Sequence, residues 1–262
     1  MSRDLLCIEA QPEEQRMDTV VSTGNLQARA AAAVHAWPLA RGHVRVVLVE
    51  ADAWRPHQRE AESLMDDAER GRVSRRRLAR DRDDLALCYG LHRALLAAWL
   101  DCAPRAVPLY RDERGCPRLE GGELATSLSH AEGAFAFAFA RAADGPVGVD
   151  IEPAQRAALM DEVAQALCHP AERERYGRLR GPAASIALLR LWVRKEAVLK
   201  ALGTGMEVPM ESFRIPDSAV VHLPALQAQP LRTVLVDAGA LQYECAVACP
   251  DGRSVTASWL RP

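Results

Sequence analysis

LATSLSHAEGAFAFAFARAADGPVGVDIEP, residues 124–153, is the stretch from which the fold is read. Phe135, Phe137 and Phe139 alternate with alanines. Successive side chains of a strand point to opposite faces, so the three rings share one face and enter a core. Gly145-Pro146 then reads as the turn of a hairpin into VGVDIE. Working outward, HVRVVLVEA (43–51) is a buried strand. Residues 56–82 are charged and helical in propensity, and 84–100 form an apolar-rich helix closed off by Pro104. The stretch YRDERGCPRLEGG (110–122) is rich in turn residues. Beyond Pro153 helices are expected to about residue 203, with breaks at Pro170 and Gly181-Pro182. Strands follow in FRI (213–215), RTVLVDA (232–238), LQYECAVAC (241–249) and SVTASWL (254–260). The order strand, helices, strands thus occurs twice, over 43–143 and 144–262, which predicts an α+β fold of two similar lobes. Residues 1–42 carry little pattern beyond the alanine-rich QARAAAAVHAW and are read as an N-terminal extension, for which disorder is an open reading.

With 262 residues, 49% of them hydrophobic, the chain can bury a core without disulfide staples. A net charge of −2 argues against a whole-protein nucleic-acid or acidic-membrane binder, so any basic site must be local. No apolar run is long enough to span a membrane, and Glu9, Glu13 and Glu14 interrupt the N-terminal apolar run, so neither a transmembrane helix nor a secretory signal is expected. A cytoplasmic protein is the expectation. The seven cysteines contain no C-x-x-C and are read as reduced thiols; Cys245 and Cys249 fall on one face of a strand, where burial explains them.

Of the 33 basic residues 31 are arginine, and the two lysines, Lys195 and Lys200, lie five residues apart. They belong to the pattern W-x-x-K-E-x-x-x-K-x-x-G-x-G, in which Trp192, Glu196 and Lys200 fall within a sector of about 80° on a helix. Glu196 and Lys200 read at their plainest as an (i, i+4) surface pair worth about 0.3–0.5 kcal/mol. A chain that uses arginine nearly everywhere else but keeps an ammonium here points instead to chemistry, because lysine is a compact charge that can give up its proton. Gly203 and Gly205 end that helix. In VGVDIEP, Asp150 and Glu152 project from the face opposite Val147, Val149 and Ile151. Taken alone they are a solvated strand face; taken with a cation between them, they suit a hard ion such as Mg²⁺ that substrate phosphates complete. Ser129-His130 offers donors to an anion. Its members point to opposite faces of a strand and no G-x-S-x-G is present, which disfavours a Ser–His nucleophile pair. Residues 70–82 hold seven arginines against Asp81. That run is either a solvated helix face, a phosphate-gathering patch or a docking site for an acidic partner.

Leu128-Ser129-His130, then Gly148-Val149-Asp150-Ile151-Glu152, then W-x-x-K-E-x-x-x-K with G-x-G behind it, resembles the 4′-phosphopantetheinyl transferases, in particular their long, Sfp-type branch. The ordered motifs span about residues 111–205; the remainder fits in outline, and 1–42 has no counterpart. The resemblance implies a monomer of two pseudo-symmetric α+β lobes with the site in the cleft between them. It implies transfer of 4′-phosphopantetheine from coenzyme A to a serine of an apo acyl or peptidyl carrier protein, releasing adenosine 3′,5′-bisphosphate. Asp150, Glu152 and Glu196 would hold Mg²⁺, Glu196 would also be the candidate base, and Lys200 would neutralise the leaving group. Ser129, His130 and Lys195 would contact coenzyme A, as would some of Arg72, Arg75 and Arg76, which match the residues that hold its 3′-phosphate. Where the family often has a basic residue between glycine and proline, this chain has Cys116. Two other readings compete: a non-catalytic coenzyme A or carrier-binding module of the same fold, and a hydrolase using Asp150 and Glu152. The second is disfavoured because two carboxylates on one strand face cannot flank a scissile bond from opposite sides.

Overall fold

A computed structural model describes residues 24–223, 229–239 and 242–262; the reading of residues 1–23 lies outside it. Residues 24–42 are part of the fold, which corrects their reading as an appended extension. Helix α1 (Leu26–Ala36) is capped by Asn25, whose side chain accepts from the Ala28 amide. Its buried face, Leu26, Ala30 and Ala33, has the period of a helix packed on one side, and Trp37 closes the same cluster. Small alanines give a weak hydrophobic signal in the sequence but allow close helix packing.

Strand β1 (His43–Glu50) is followed by α2 (Ala51–Trp54), α3 (Gln58–Leu64), α4 (Asp67–Ser74) and the long α5 (Ala79–Leu100). The arginine run is therefore divided among α4, a connector and the first turn of α5. A small ribbon of β2 (Leu109–Arg111) and β3 (Pro117–Leu119) leads into β4 (Leu124–Ala131) and β5 (Ala134–Arg141). Strand β6 (Gly148–Pro153) then begins a second pass, with α6 (Met160–Leu167), α7 (Pro170–Tyr176), α8 (Pro182–Leu202), β7 (Val220–Val221), β8 (Leu231–Val236) and β9 (Tyr243–Pro250), before the last strand, β10 (Ser254–Trp259). Phe213 and Ile215, expected in a strand, are buried outside regular strand structure.

The strands form two four-stranded sheets, β10-β1-β5-β4 and β6-β9-β8-β7. In each, a strand, a set of helices and an antiparallel hairpin follow the same path, with the hairpin's second strand beside the first strand (β1-β5-β4 and β6-β9-β8). Two connections depart from the sequence reading. Strand β6 does not pair with β5 across Gly145-Pro146; it pairs with β9 in the other sheet. Strand β10 leaves the second sheet and pairs in parallel with β1.

The alternation in residues 134–140 explains the layering. The phenylalanine face packs on α5 and α1, where His92 stacks on Phe137 and Phe139. The alanine face, with Val44, Val46 and Leu48, meets Val149, Ile151, Cys245, Val247 and Cys249 of the second sheet, with Val147 just before it in the same cluster. Small side chains on one sheet let the branched ones of the other approach closely. On the far side of the second sheet, Ala246 and Ala248 share a cluster with Leu188, Leu189 and Ala197 of α8. The order of layers is helix, sheet, sheet, helix.

Candidate active site

The two sheets also meet along an edge, where β4 lies beside β6. Ser127 and Ser129 point to that seam. The Val149 amide donates to Ser127 Oγ (3.1 Å), and Ser129 Oγ donates to Asp150 Oδ1 (2.8 Å). Helix α8 approaches from the other side because Gly148 has no side chain. A Cβ there would lie 2.0 Å from the Ala197 carbonyl oxygen and 2.3 Å from the Ala201 amide nitrogen. This contact brings Lys200 Nζ to 2.7 Å from Asp150 Oδ1. Asp150 is buried, and its second oxygen, Oδ2, has no hydrogen-bond partner.

A cavity of about 450 Å³ opens at this point. Asp150 and Glu152 reach it from β6, Trp192, Glu196 and Lys200 from α8, and Ser129 and His130 from β4. The helical sector expected for Trp192, Glu196 and Lys200 is thus one wall of the cavity. The pairing within it is corrected: Lys200 bonds across to Asp150, and Glu196 has no hydrogen-bond partner among the described residues. Burial pushes the Glu196 carboxyl above the usual glutamate value, with the charge of Asp150 acting in the same direction and Lys200 opposing it. Glu152 is raised for the same first two reasons, burial and Asp150, against the guanidinium of Arg156 at 2.8 Å. His130, on the rim, is held below the usual imidazole value by the protein packed around it, then by Lys200 and Arg76.

The arginine run separates by position. Arg76 lines the carboxylate cavity. Arg72 and Arg75 line an adjoining depression of about 280 Å³, which shares Tyr89 and Arg111 with the first. Arg111, whose guanidinium lies 4.9 Å from the Tyr89 ring centroid, was not singled out from the sequence. It sits in the turn-rich 110–122 stretch, and nothing local marks which of its arginines faces the cleft. On the other side the cavity continues into a groove of about 980 Å³, sharing Arg76, His130, Glu152 and Trp192 and bounded further by Arg156, Leu159 and Met160.

Two expected contacts change character. The Ser129 hydroxyl is buried and committed to Asp150, so it fixes a carboxylate instead of meeting a phosphate. Lys195 does not reach the cleft. It is fully buried, with Nζ donating to Glu172 Oε2 (2.6 Å) and to the carbonyl oxygens of Leu167, Met210 and Phe213 (2.7–2.8 Å). Glu172 in turn accepts from the amides of His169 and Ile215. The pair rivets α7 and the 210–215 segment to α8, on the side away from Glu196.

Among the described residues no group of three His, Cys, Asp or Glu side chains is placed so that it could hold a metal ion as it stands. The donor set still fits a hard divalent cation. Three carboxylates line one cavity, one of them with a buried, unpartnered oxygen, and Mg²⁺ commonly takes one or two carboxylates and completes its shell with water and substrate phosphate. Carboxylates, one ammonium and guanidinium groups around a shared cavity are the charge pattern that suits a phosphorylated ligand.

Residues 146–241, which contain β6 and α8, match the profile of the 4′-phosphopantetheinyl transferase superfamily. Over 183 residues, 65% of this chain and 74% of the relative, the sequence is 26% identical to a protein of Synechocystis sp. (strain ATCC 27184 / PCC 6803 / Kazusa) whose curated name assigns it provisionally to the 4′-phosphopantetheinyl transferases. Both similarities are to 4′-phosphopantetheinyl transferases, the profile over β6 to β8 and the relative over about two thirds of the chain, and together they support an enzyme of that class.

Proposed function

We propose that this enzyme, of the long, two-lobed Sfp-type branch, uses Mg²⁺ to transfer 4′-phosphopantetheine from coenzyme A to a serine hydroxyl of an apo acyl or peptidyl carrier protein. The carrying observation is Asp150, a buried carboxylate held by Ser129 from one sheet and Lys200 from α8, with Glu152 and Glu196 in the same cavity. The lobes are 43–143 and 144–262 in sequence, with α1 and β10 both packed on the first. The enzyme works as a cytoplasmic monomer; among the described residues no helix is long and apolar enough to cross a membrane.

Asp150, Glu152 and Glu196 would hold Mg²⁺, which when bound supplies charge neutralisation at the pyrophosphate. Arg72, Arg75 and Arg111 gather the 3′-phosphate in the small depression, and Arg76 and His130 flank the pyrophosphate. The pantetheine arm leaves along the larger groove past Trp192. The carrier serine oxygen attacks the phosphorus that bears the pantetheine arm. The bond from that phosphorus to the bridging oxygen breaks, and its electron pair leaves with adenosine 3′,5′-bisphosphate. The serine proton passes to Glu196, directly or through water. Its raised proton affinity suits a base, although a carboxylate bound to a cation is a weaker one, so ligation is its first role. Lys200, partly exposed to the cavity, stabilises the charge that develops on the leaving group.

Incubation with coenzyme A, Mg²⁺ and a panel of apo carrier proteins tests the reading by mass spectrometry. At least one carrier should gain the phosphopantetheine mass, and Asp150→Asn should reduce that gain by about 10²-fold or more while remaining folded. Unmodified carriers throughout, or normal turnover by Asp150→Asn, would overturn it.

A further inference from the structure

Each carboxylate of β6 carries a cation of its own, but the two pairs are built differently. Lys200 reaches Asp150 from another element and leaves Oδ2 free. Arg156 is local. It stands four residues after Glu152 on the 3₁₀ turn Ala154–Leu159, its Nη1 2.8 Å from Glu152 Oε1 and its guanidinium carbon 5.1 Å from the Trp192 ring centroid. Its side chain is 40% exposed where that of Glu152 is 15% exposed, so the guanidinium has the more room to turn into the groove. The indole face holds it at the same time, and an arginine over tryptophan keeps that ring contact when its carboxylate is taken. Glu196, on the next turn of α8 after Trp192, has no such cation.

We propose that Arg156 is an exchangeable counter-ion of Glu152, which competes with a divalent cation for that carboxylate, so that metal binding stays weak until the donor's pyrophosphate arrives. This rests on the reading of Asp150, Glu152 and Glu196 as metal ligands. With one oxygen of each β6 carboxylate bonded to its own cation at rest, an arriving ion competes with two positive charges, and Glu196 is the carboxylate of the three that no cation bonds. The negative charge of a bound pyrophosphate adds the attraction that lets the ion take Glu152 from Arg156, which Trp192 continues to hold.

The test is binding of Mn²⁺ to the full chain, read from the electron paramagnetic resonance of the free ion, with and without coenzyme A. The wild type should bind Mn²⁺ weakly alone and more tightly with coenzyme A. Arg156→Gln should tighten binding of Mn²⁺ alone by roughly tenfold, the size expected when a unit charge a few ångström from a divalent ion is lost in a solvent-screened site. Arg156→Lys keeps the charge and should stay near wild type. In Arg156→Gln/Glu152→Gln the gain should vanish. Unchanged or weaker binding by Arg156→Gln overturns the proposal, as does a gain that persists in the double variant, which would make it a general field effect. If Asp150→Asn leaves Mn²⁺ binding in the presence of coenzyme A intact, or no form binds at all, the metal reading itself fails. Circular dichroism of each variant separates these outcomes from misfolding.

Discussion

Lys195 and Glu196 are neighbours in the chain and opposites in physics. Lys195 is buried with four oxygen partners, one of them charged, so its removal leaves Glu172 buried without its cation. Lys195→Met should therefore cost about 3–5 kcal/mol of stability, measured by denaturant unfolding. Glu196 has the reverse balance, because burial and the nearby Asp150 penalise its charged form. Its folded-state pKa lies above the unfolded value, so it favours folding only while protonated, and that contribution is lost as pH rises through the raised pKa. Glu196→Gln removes the ionisation. It should match the wild type at pH below 4.5 and exceed it in thermal stability at neutral pH without divalent ions, while transfer falls by about 10²-fold or more. Equal stability across that window would refute the assigned environment. Helical geometry in the sequence showed that Lys195 lies off the Glu196–Lys200 face. It could not show that the partner would be Glu172, 23 residues upstream, because that pairing depends on where α7 docks.

Among the elements, the contact between β6 and α8 decides whether there is a site at all. Asp150 and Glu152 sharing one strand face, and Trp192, Glu196 and Lys200 sharing one helix face, are consequences of local periodicity and were legible. That these two faces meet depends on Gly148, whose missing Cβ admits the α8 backbone. Gly148→Ala should push α8 outward, cost about 1–3 kcal/mol by overpacking, and lower the transfer rate more than coenzyme A binding, since most phosphate contacts proposed here lie on the other lobe. Equal losses in rate and binding would argue that the glycine merely supports the fold. The hairpin expected at Gly145-Pro146 failed for a related reason: a Gly-Pro turn marks a reversal of direction but does not say which sheet the next strand joins.

At the scale of the molecule, the two passes of strand, helices and hairpin are closed by β10, which crosses from the second to the first. Trp259 and Leu260 are buried, and the Leu260 carbonyl accepts from Trp54 Nε1 (3.1 Å). Truncation after Arg253 would expose the edge of β1 and remove both side chains. Their burial is worth about 5–10 kcal/mol together, comparable to the whole stability of a domain. Such a chain should lose its cooperative thermal transition and its near-ultraviolet circular dichroism, whereas a retained transition would show that β10 is dispensable.

The sequence by itself determined most of the elements, the buried faces of the strongly periodic ones, and the order of motifs that carry carboxylates, lysine and arginines, because these follow from periods of two and 3.6 residues. It also limited the chemistry, since only Lys195 and Lys200 were available as ammonium groups. Tertiary structure alone decided that α1 joins the core, that β10 returns to the first sheet, that Lys195 faces inward, and that Ser129, Asp150 and Lys200 form one bonded chain. Those outcomes depend on contacts between residues far apart in sequence, whose energies come from desolvation and close packing, and no local pattern encodes which distant surface will supply them.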